Sequence, residues 1–164
     1  MKKRILGIIG GSGLYSIEGL ENIKWKQVST NWGDPSDKIL SATLSRQEIY
    51  FLPRHGRGHK ISPSKINFRA NIEALKKLGV TDIVSVSAVG SLQEYLRPGS
   101  FVIVDQFIDR TFERIKTFFD KDIVAHVSMA KPTSPALMKC CESALVKCKI
   151  PHQVGGTYLV MEGP

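Results

Sequence analysis

Six consecutive residues, Arg54-His55-Gly56-Arg57-Gly58-His59, bring two guanidiniums and two imidazoles into one short stretch. Guanidinium forks match the oxygens of a dianion, and a histidine can donate from either ring nitrogen, so phosphate is the natural ligand. An exposed basic loop would have the same composition, but this one follows an apolar run ending at Leu52, where a loop is held by a buried scaffold. Gly10-Gly11-Ser12-Gly13 offers a second anion-binding feature. Glycines let the chain bend tightly and expose N–H groups, and the Ser12 hydroxyl can assist; an ordinary strand-to-loop turn would also account for these residues. The stretch lacks the third glycine of a dinucleotide fingerprint, because Ser16 stands at that position.

Ser87-Ala88-Val89-Gly90-Ser91-Leu92 closes another apolar run with small residues. A ligand can approach backbone closely there, at the strand end where open α/β sheets bind ligands, although a plain turn would read alike. Asp105, Asp109 and Arg110 read as a surface ion-pair cluster of little energetic weight. His126 by itself fits a structural histidine better than a catalytic one. Arg-His-Gly after a strand also occurs in histidine phosphatases and phosphoglycerate mutases, with the histidine as nucleophile. Here the motif lies some fifty residues in, and the later histidines, His126 and His152, have no convincing partner context.

The elements that must position these groups follow from periodicity. Arg4 to Ile9 predicts a buried strand ending in glycines. Residues Trp25 to Asp37 predict a loop, and Ile39 to Leu44 with Glu48 to Leu52 a hairpin around Ser45-Arg46-Gln47. Ser62 as N-cap, Pro63 at the first position, Phe68, Ile72, Leu75 and Leu78 at helical spacing, and Gly79 as terminator predict one continuous helix. Ile83 to Val89 predicts a strand covered on both faces, and Phe101 to Val104 another. Thr111 to Ala130 is irregular. Ser134-Pro135 opens a second helix with Leu137, Cys141 and Leu145 on one face, and Val154 to Met161 forms a last strand. Alternating strands and helices predict an α/β fold: a single domain over 1–164 with a mixed, partly parallel sheet flanked by helices.

The net charge of +8 is spread over short runs without interleaved aromatics, which argues against nucleic acid and for a general attraction of small anions. The opening Lys2-Lys3-Arg4 and apolar Ile5 to Ile9 break at Gly10, too early for a secretory leader, and no later run is long enough to span a membrane. Cys140, Cys141 and Cys148 lack metal-ligand spacing, so no metal site and a reducing, cytoplasmic setting are expected.

Taken together, the segments resemble methylthioadenosine phosphorylases within the purine nucleoside phosphorylase family. The matching stretches are Gly7 to Leu14, Leu52 to His59, Pro63 to Ile72, Ser87 to Leu92, Asp105 to Thr111 and Glu162-Gly163-Pro164, in the family's order. The resemblance implies phosphorolysis of 5′-deoxy-5′-methylthioadenosine to adenine and 5-methylthioribose 1-phosphate. Phosphate is then a co-substrate and no cofactor is needed. By similarity Ser12, Arg54, His55, Ser87 and the Ala88 backbone hold phosphate, and His59 belongs to the same wall. His126 is implied to reach a neighbouring subunit's nucleoside in a homotrimer. The Arg-His-Gly-Arg-x-His form favours the methylthioadenosine branch, with 6-oxopurine nucleosides and methylthioinosine as alternatives.

Family members continue past Glu-Gly-Pro with an aromatic on the base and an aspartate that protonates the purine, so no catalytic acid is assigned within residues 1–164. The expectation is therefore a fold incomplete at its C-terminal end. A chain ending there would be poorly soluble or inactive alone, since losing general-acid help costs on the order of 10²–10⁴ in rate. A non-catalytic phosphate-binding remnant is the corresponding alternative.

Overall fold

The computed structural model describes residues 4–11, 17–119 and 122–162, which fall into two compact units, Met1–Ala88 and Val89–Pro164. The first unit is built on a five-stranded sheet. In chain order its elements are β1 (Leu6–Gly10), β2 (Glu21–Lys26), β3 (Ile39–Leu44), β4 (Gln47–Pro53), helix α1 (Phe68–Lys77) and β5 (Asp82–Ser85). The spatial order is β2-β3-β4-β1-β5. β1 runs parallel to both β4 and β5, and β2, β3 and β4 form an antiparallel meander. The mixed, partly parallel α/β class expected from the sequence is the one observed.

From Ile49 to Pro53, β4 is buried residue after residue because both of its faces are covered. Tyr50 and Leu52 join Ile39 and the helix residues Ala74 and Leu75 on one face. Ile49 and Phe51 join Leu40 and Ala42 on the other. The expected hairpin forms, with Leu44 opposite Gln47, and Ser45 and Arg46 both take positive φ of 48° and 66°. That pair of angles matches a two-residue turn whose twist suits the strands. Gly7 is needed for close packing: a Cβ there would lie 2.9 Å from Val80 Cγ1 and 3.5 Å from Leu75 Cδ2.

Three expectations need correction in this unit. β2 lies partly within the segment read as loop or unassigned; it is a polar edge strand whose Glu21 to Lys24 side chains stay exposed, so no apolar alternation announces it. The continuous helix from Ser62 is instead a single 3-10 turn, Pro63–Lys65, followed by α1. Ile66 buries its side chain with extended backbone, and Asn67 restarts the helix by accepting a hydrogen bond from Ala70 N–H at 3.1 Å. Ser62 makes no side-chain cap. The buried stripe of α1 is Ala70, Asn71, Ala74 and Leu75, and Phe68 and Ile72 are substantially exposed. Gly79 ends the helix as expected, at φ 82°, with Gly79 N–H on Lys76 O and Val80 N–H on Leu75 O. β5 stops at Ser85, with Asp82 to Val84 only half-buried and Ser85 exposed, short of the doubly covered strand to Val89.

The second unit holds β6 (Phe101–Ile103), β7 (Gln106–Arg110), α2 (Pro135–Lys147), β8 (His152–Val154) and β9 (Thr157–Met161). β6 pairs with β8 and β7 with β9, each parallel. The expected last strand is therefore two strands, and Asp109 and Arg110 lie inside β7 instead of after a strand. Gly155 and Gly156 adopt φ of 86° and 139°, and Asp105 closes the break by accepting from Gly156 N–H at 3.0 Å. α2 begins as expected: the Ser134 side chain accepts from Leu137 N–H, and Leu137, Cys141 and Leu145 share its half-buried side. Residues 111–130, where described, form neither helix nor strand. Among the described residues, every buried apolar side chain lies between Pro35 and Leu75, in the first unit. No helix among them is long and apolar enough to cross a membrane.

Candidate functional site

The parallel registers make the ends of three strands flush. Ile9 pairs with both Leu52 and Ser85, and Gly10 pairs with Pro53. The carboxyl ends of β4, β1 and β5 thus sit side by side and deliver Arg54, Gly11 and Val86-Ser87 to one edge. This is where open α/β sheets place ligands. Backbone bonds continue the register beyond the strands: Arg54 N–H donates to Gly10 O at 3.0 Å, and Val86 N–H to Ile9 O at 2.9 Å.

Arg54 spans this edge. Its Nη1 donates to Val86 O at 2.7 Å and its Nε donates to His55 Nε2 at 3.2 Å. Nη2 lies 4.0 Å from where a Gly11 Cβ would stand. A guanidinium carries five N–H donors, and these two bonds leave Nη2 and one proton of Nη1 for a ligand. The His55 side chain is buried and its Nδ1 lies 2.9 Å from Ile61 O. His59, exposed and at a φ of 55°, stacks on it with ring centroids 4.3 Å apart. Ser87 and Ala88 follow β5 and are exposed. Ser12 lies outside the described residues. Arg54, His55, His59, Ser87 and Ala88 thus belong to the same unit and gather around one sheet edge. His126 belongs to the other unit, in an exposed irregular segment.

Arg57, counted with Arg54 as a ligand for the dianion, is committed elsewhere. Asp37 Oδ2 accepts from Arg57 N–H at 2.7 Å and from its Nε at 3.0 Å, while Oδ1 accepts from Arg57 Nη2 at 3.0 Å. The guanidinium also lies over the Trp25 ring, 4.1 Å from its centroid. Burial works to raise the Asp37 pKa, but the side-chain and backbone bonds from Arg57, the Lys38 N–H and the Arg57 charge outweigh it and hold the carboxyl below the usual range. The neighbouring Ser36 is fixed to α1: its N–H donates to Asn71 Oδ1 at 2.8 Å, and Asn71 Nδ2 donates to its Oγ at 3.0 Å. Helix, loop 27–38 and the basic loop are one hydrogen-bonded chain. Sequence reading missed Asp37 and Asn71 because their partners lie 20 and 35 residues away. The excess of basic residues was the sole signal that a carboxylate had to be near.

No group of three or more His, Cys, Asp or Glu able to hold a metal occurs among the described residues. In the second unit, Asp109 accepts from Thr111 N–H at 2.8 Å and lies 3.5 Å from Lys116. Hydrogen bonding to Thr111 holds the Asp109 carboxyl below its ordinary pKa. Glu162 accepts from Phe112 N–H at 3.0 Å and Glu113 N–H at 3.2 Å, and lies 3.5 Å from Arg114 Nε. These carboxylates brace the start of the irregular segment.

The family pattern described as Phosphorylase superfamily matches residues 5–164. The chain is 60% identical over 163 residues to an S-methyl-5′-thioadenosine phosphorylase of Rhodospirillum rubrum, covering 99% of this chain and 55% of that protein. It is 49% identical over its full length to an enzyme of the same name from Thermofilum pendens, covering 63% of it. A crystal structure of a methylthioadenosine phosphorylase from an antarctic soil metagenomic library superposes with a TM-score of 0.93 at 46% identity, covering 100% of this chain and 58% of that one. A methylthioadenosine phosphorylase from Schistosoma mansoni in complex with adenine gives 0.90 at 36% identity, covering 99% and 66%. The chain spans a little over half the length of the first of these relatives. With residues 5–164 matched, it belongs to the phosphorylase superfamily.

Proposed function

We propose that this protein phosphorolyses 5′-deoxy-5′-methylthioadenosine. Inorganic phosphate attacks the anomeric carbon, the bond to the base breaks with its electron pair leaving on adenine, and 5-methylthioribose 1-phosphate forms. The observation that carries the reading is the flush ending of β4, β1 and β5 around the partly unused guanidinium of Arg54. Such a transition state resembles an oxocarbenium ion. A dianion fixed beside the carbon supplies the nucleophile and stabilises the developing positive charge. Arg54, Ser12, Ser87 and the Ala88 N–H are assigned to phosphate, with His55 and His59 in the same wall.

The relatives' names support adenine as the base. A histidine-nucleophile reading has less support, because the lone pair of His55 Nε2 is taken by Arg54. We also propose a homotrimer in which His126 contacts a neighbouring subunit's nucleoside. Ile123, Val124 and Val127 beside it expose 64%, 81% and 71% of their surface, which suits a segment that docks on another chain. The free thiols of Cys140, Cys141 and Cys148 suit the reducing cytoplasm. The reading calls for no cofactor.

The test is adenine release from methylthioadenosine by the protein as its cell makes it, with and without phosphate, beside methylthioinosine and inosine. Strict phosphate dependence, with the phosphate KM raised at least about tenfold in Arg54→Ala, is expected from losing charge-assisted bonds. Turnover without phosphate, or preference for inosine, would overturn the assignment.

A further inference from the structure

We infer that His55 serves the phosphate site through Arg54, as a neutral imidazole protonated on Nδ1, and that its ring makes no hydrogen bond to phosphate. Two independent contacts require the same tautomer. Arg54 keeps its protons at any physiological pH, so the 3.2 Å contact from its Nε makes His55 Nε2 the acceptor. At the other side of the ring, Ile61 O accepts only, so Nδ1, at 2.9 Å, carries the proton. Both nitrogens are then used. An imidazolium would instead aim an N–H at the N–H of Arg54 and lose the bond.

The surroundings hold this ring in place. His55 is 8% exposed. Ile61 N–H and Lys60 N–H both donate to His55 O at 3.0 Å, so His55 and Ile61 are joined through backbone and side chain together. The stacked His59 covers a ring face. With Nε held by His55 and Nη1 by Val86 O, the guanidinium plane has no freedom to rotate, and Nη2 is directed toward Gly11 at the end of β1. His55 is thus a positioning residue. It orients a donor that would otherwise lose rotamer freedom each time phosphate binds.

This inference rests on the assignment of Arg54 to phosphate, and one experiment separates the two. The protein labelled with ¹⁵N-histidine, which has four such residues, is titrated with inorganic phosphate at fixed pH while the ring nitrogens are followed by NMR. Phosphate Kd is measured in parallel for wild type, His55→Leu, Arg54→Ala and the double variant. Saturable binding with His55 Nε2 remaining unprotonated is expected. His55→Leu should weaken phosphate on the order of tenfold, as expected for one bond to a charged group, and have no further effect in the Arg54→Ala background. His55→Gln, whose Oε1 can accept from Arg54 Nε, should restore most of the affinity. Protonation of Nε2 on binding, or additive losses in the double variant, would overturn the positioning role while leaving the phosphate site intact. No phosphate binding by wild type would overturn the site assignment and this inference with it. The wild-type tautomer remains decisive if His55→Leu does not fold.

Discussion

Replacing Asp37 tests whether the basic loop is held from outside the proposed phosphate site. Its carboxylate accepts from four donors: Arg57 N–H, Nε and Nη2, and Lys38 N–H at 2.7 Å. The Arg57 side chain is 44% exposed and regains water when released, so its two bonds together contribute only about 0.5 kcal/mol. The two backbone N–H groups bonded to a charged acceptor contribute about 1 kcal/mol each. Asp37→Ala should therefore cost about 2–3 kcal/mol, a fall in Tm of about 5–10 °C for a chain of this size. Asp37→Asn, which keeps one acceptor oxygen, should cost roughly half as much.

The pH dependence has a definite sign. The folded-state pKa of Asp37 lies below its ordinary value, so its contribution is fully present above the unfolded pKa near about 3.9 and is lost as pH falls through the folded value. Urea unfolding of wild type and Asp37→Ala should show a constant gap from about pH 5 to 7 that narrows below about pH 4. A gap under about 0.5 kcal/mol at pH 7, or one unchanged at the lowest pH where the protein folds, would refute the clamp.

Three further outcomes are expected. Gly7→Ala should destabilise by about 1–3 kcal/mol in urea unfolding, because its Cβ meets Val80 at 2.9 Å within a packed layer. Asn67→Ala should cost about 1–2 kcal/mol, losing both the cap on Ala70 and the 2.7 Å donation from Nδ2 to Trp32 O; Asn67→Asp should recover the cap alone. Lys149 occupies the left-handed residue that closes α2 at a φ of 56°, a conformation glycine adopts without strain, so Lys149→Gly should raise stability by about 0.5–1 kcal/mol by calorimetry.

Local chemistry in the chain was sufficient for much of the fold and for locating the loop of the candidate site. Alternation and turn residues marked the β3–β4 hairpin, Ser134-Pro135 marked the start of α2, and Gly79 the end of α1. Such signals act over a few residues and survive without context. The concentration of cations in 54–59 likewise marked the loop on which the proposed phosphate site is built. Tertiary contact decided the rest. β2 has no apolar period because one neighbour suffices for an edge strand. Asn67 displaced Ser62 as the helix cap because Ile66 had to be buried first. Above all, the two arginines of one motif have opposite employment. Arg54 reaches the ends of β1 and β5, and Arg57 turns to Asp37 and Trp25. Sequence specifies the guanidinium; only the fold, by bringing distant acceptors within 3 Å, determines which of its protons remain for a ligand.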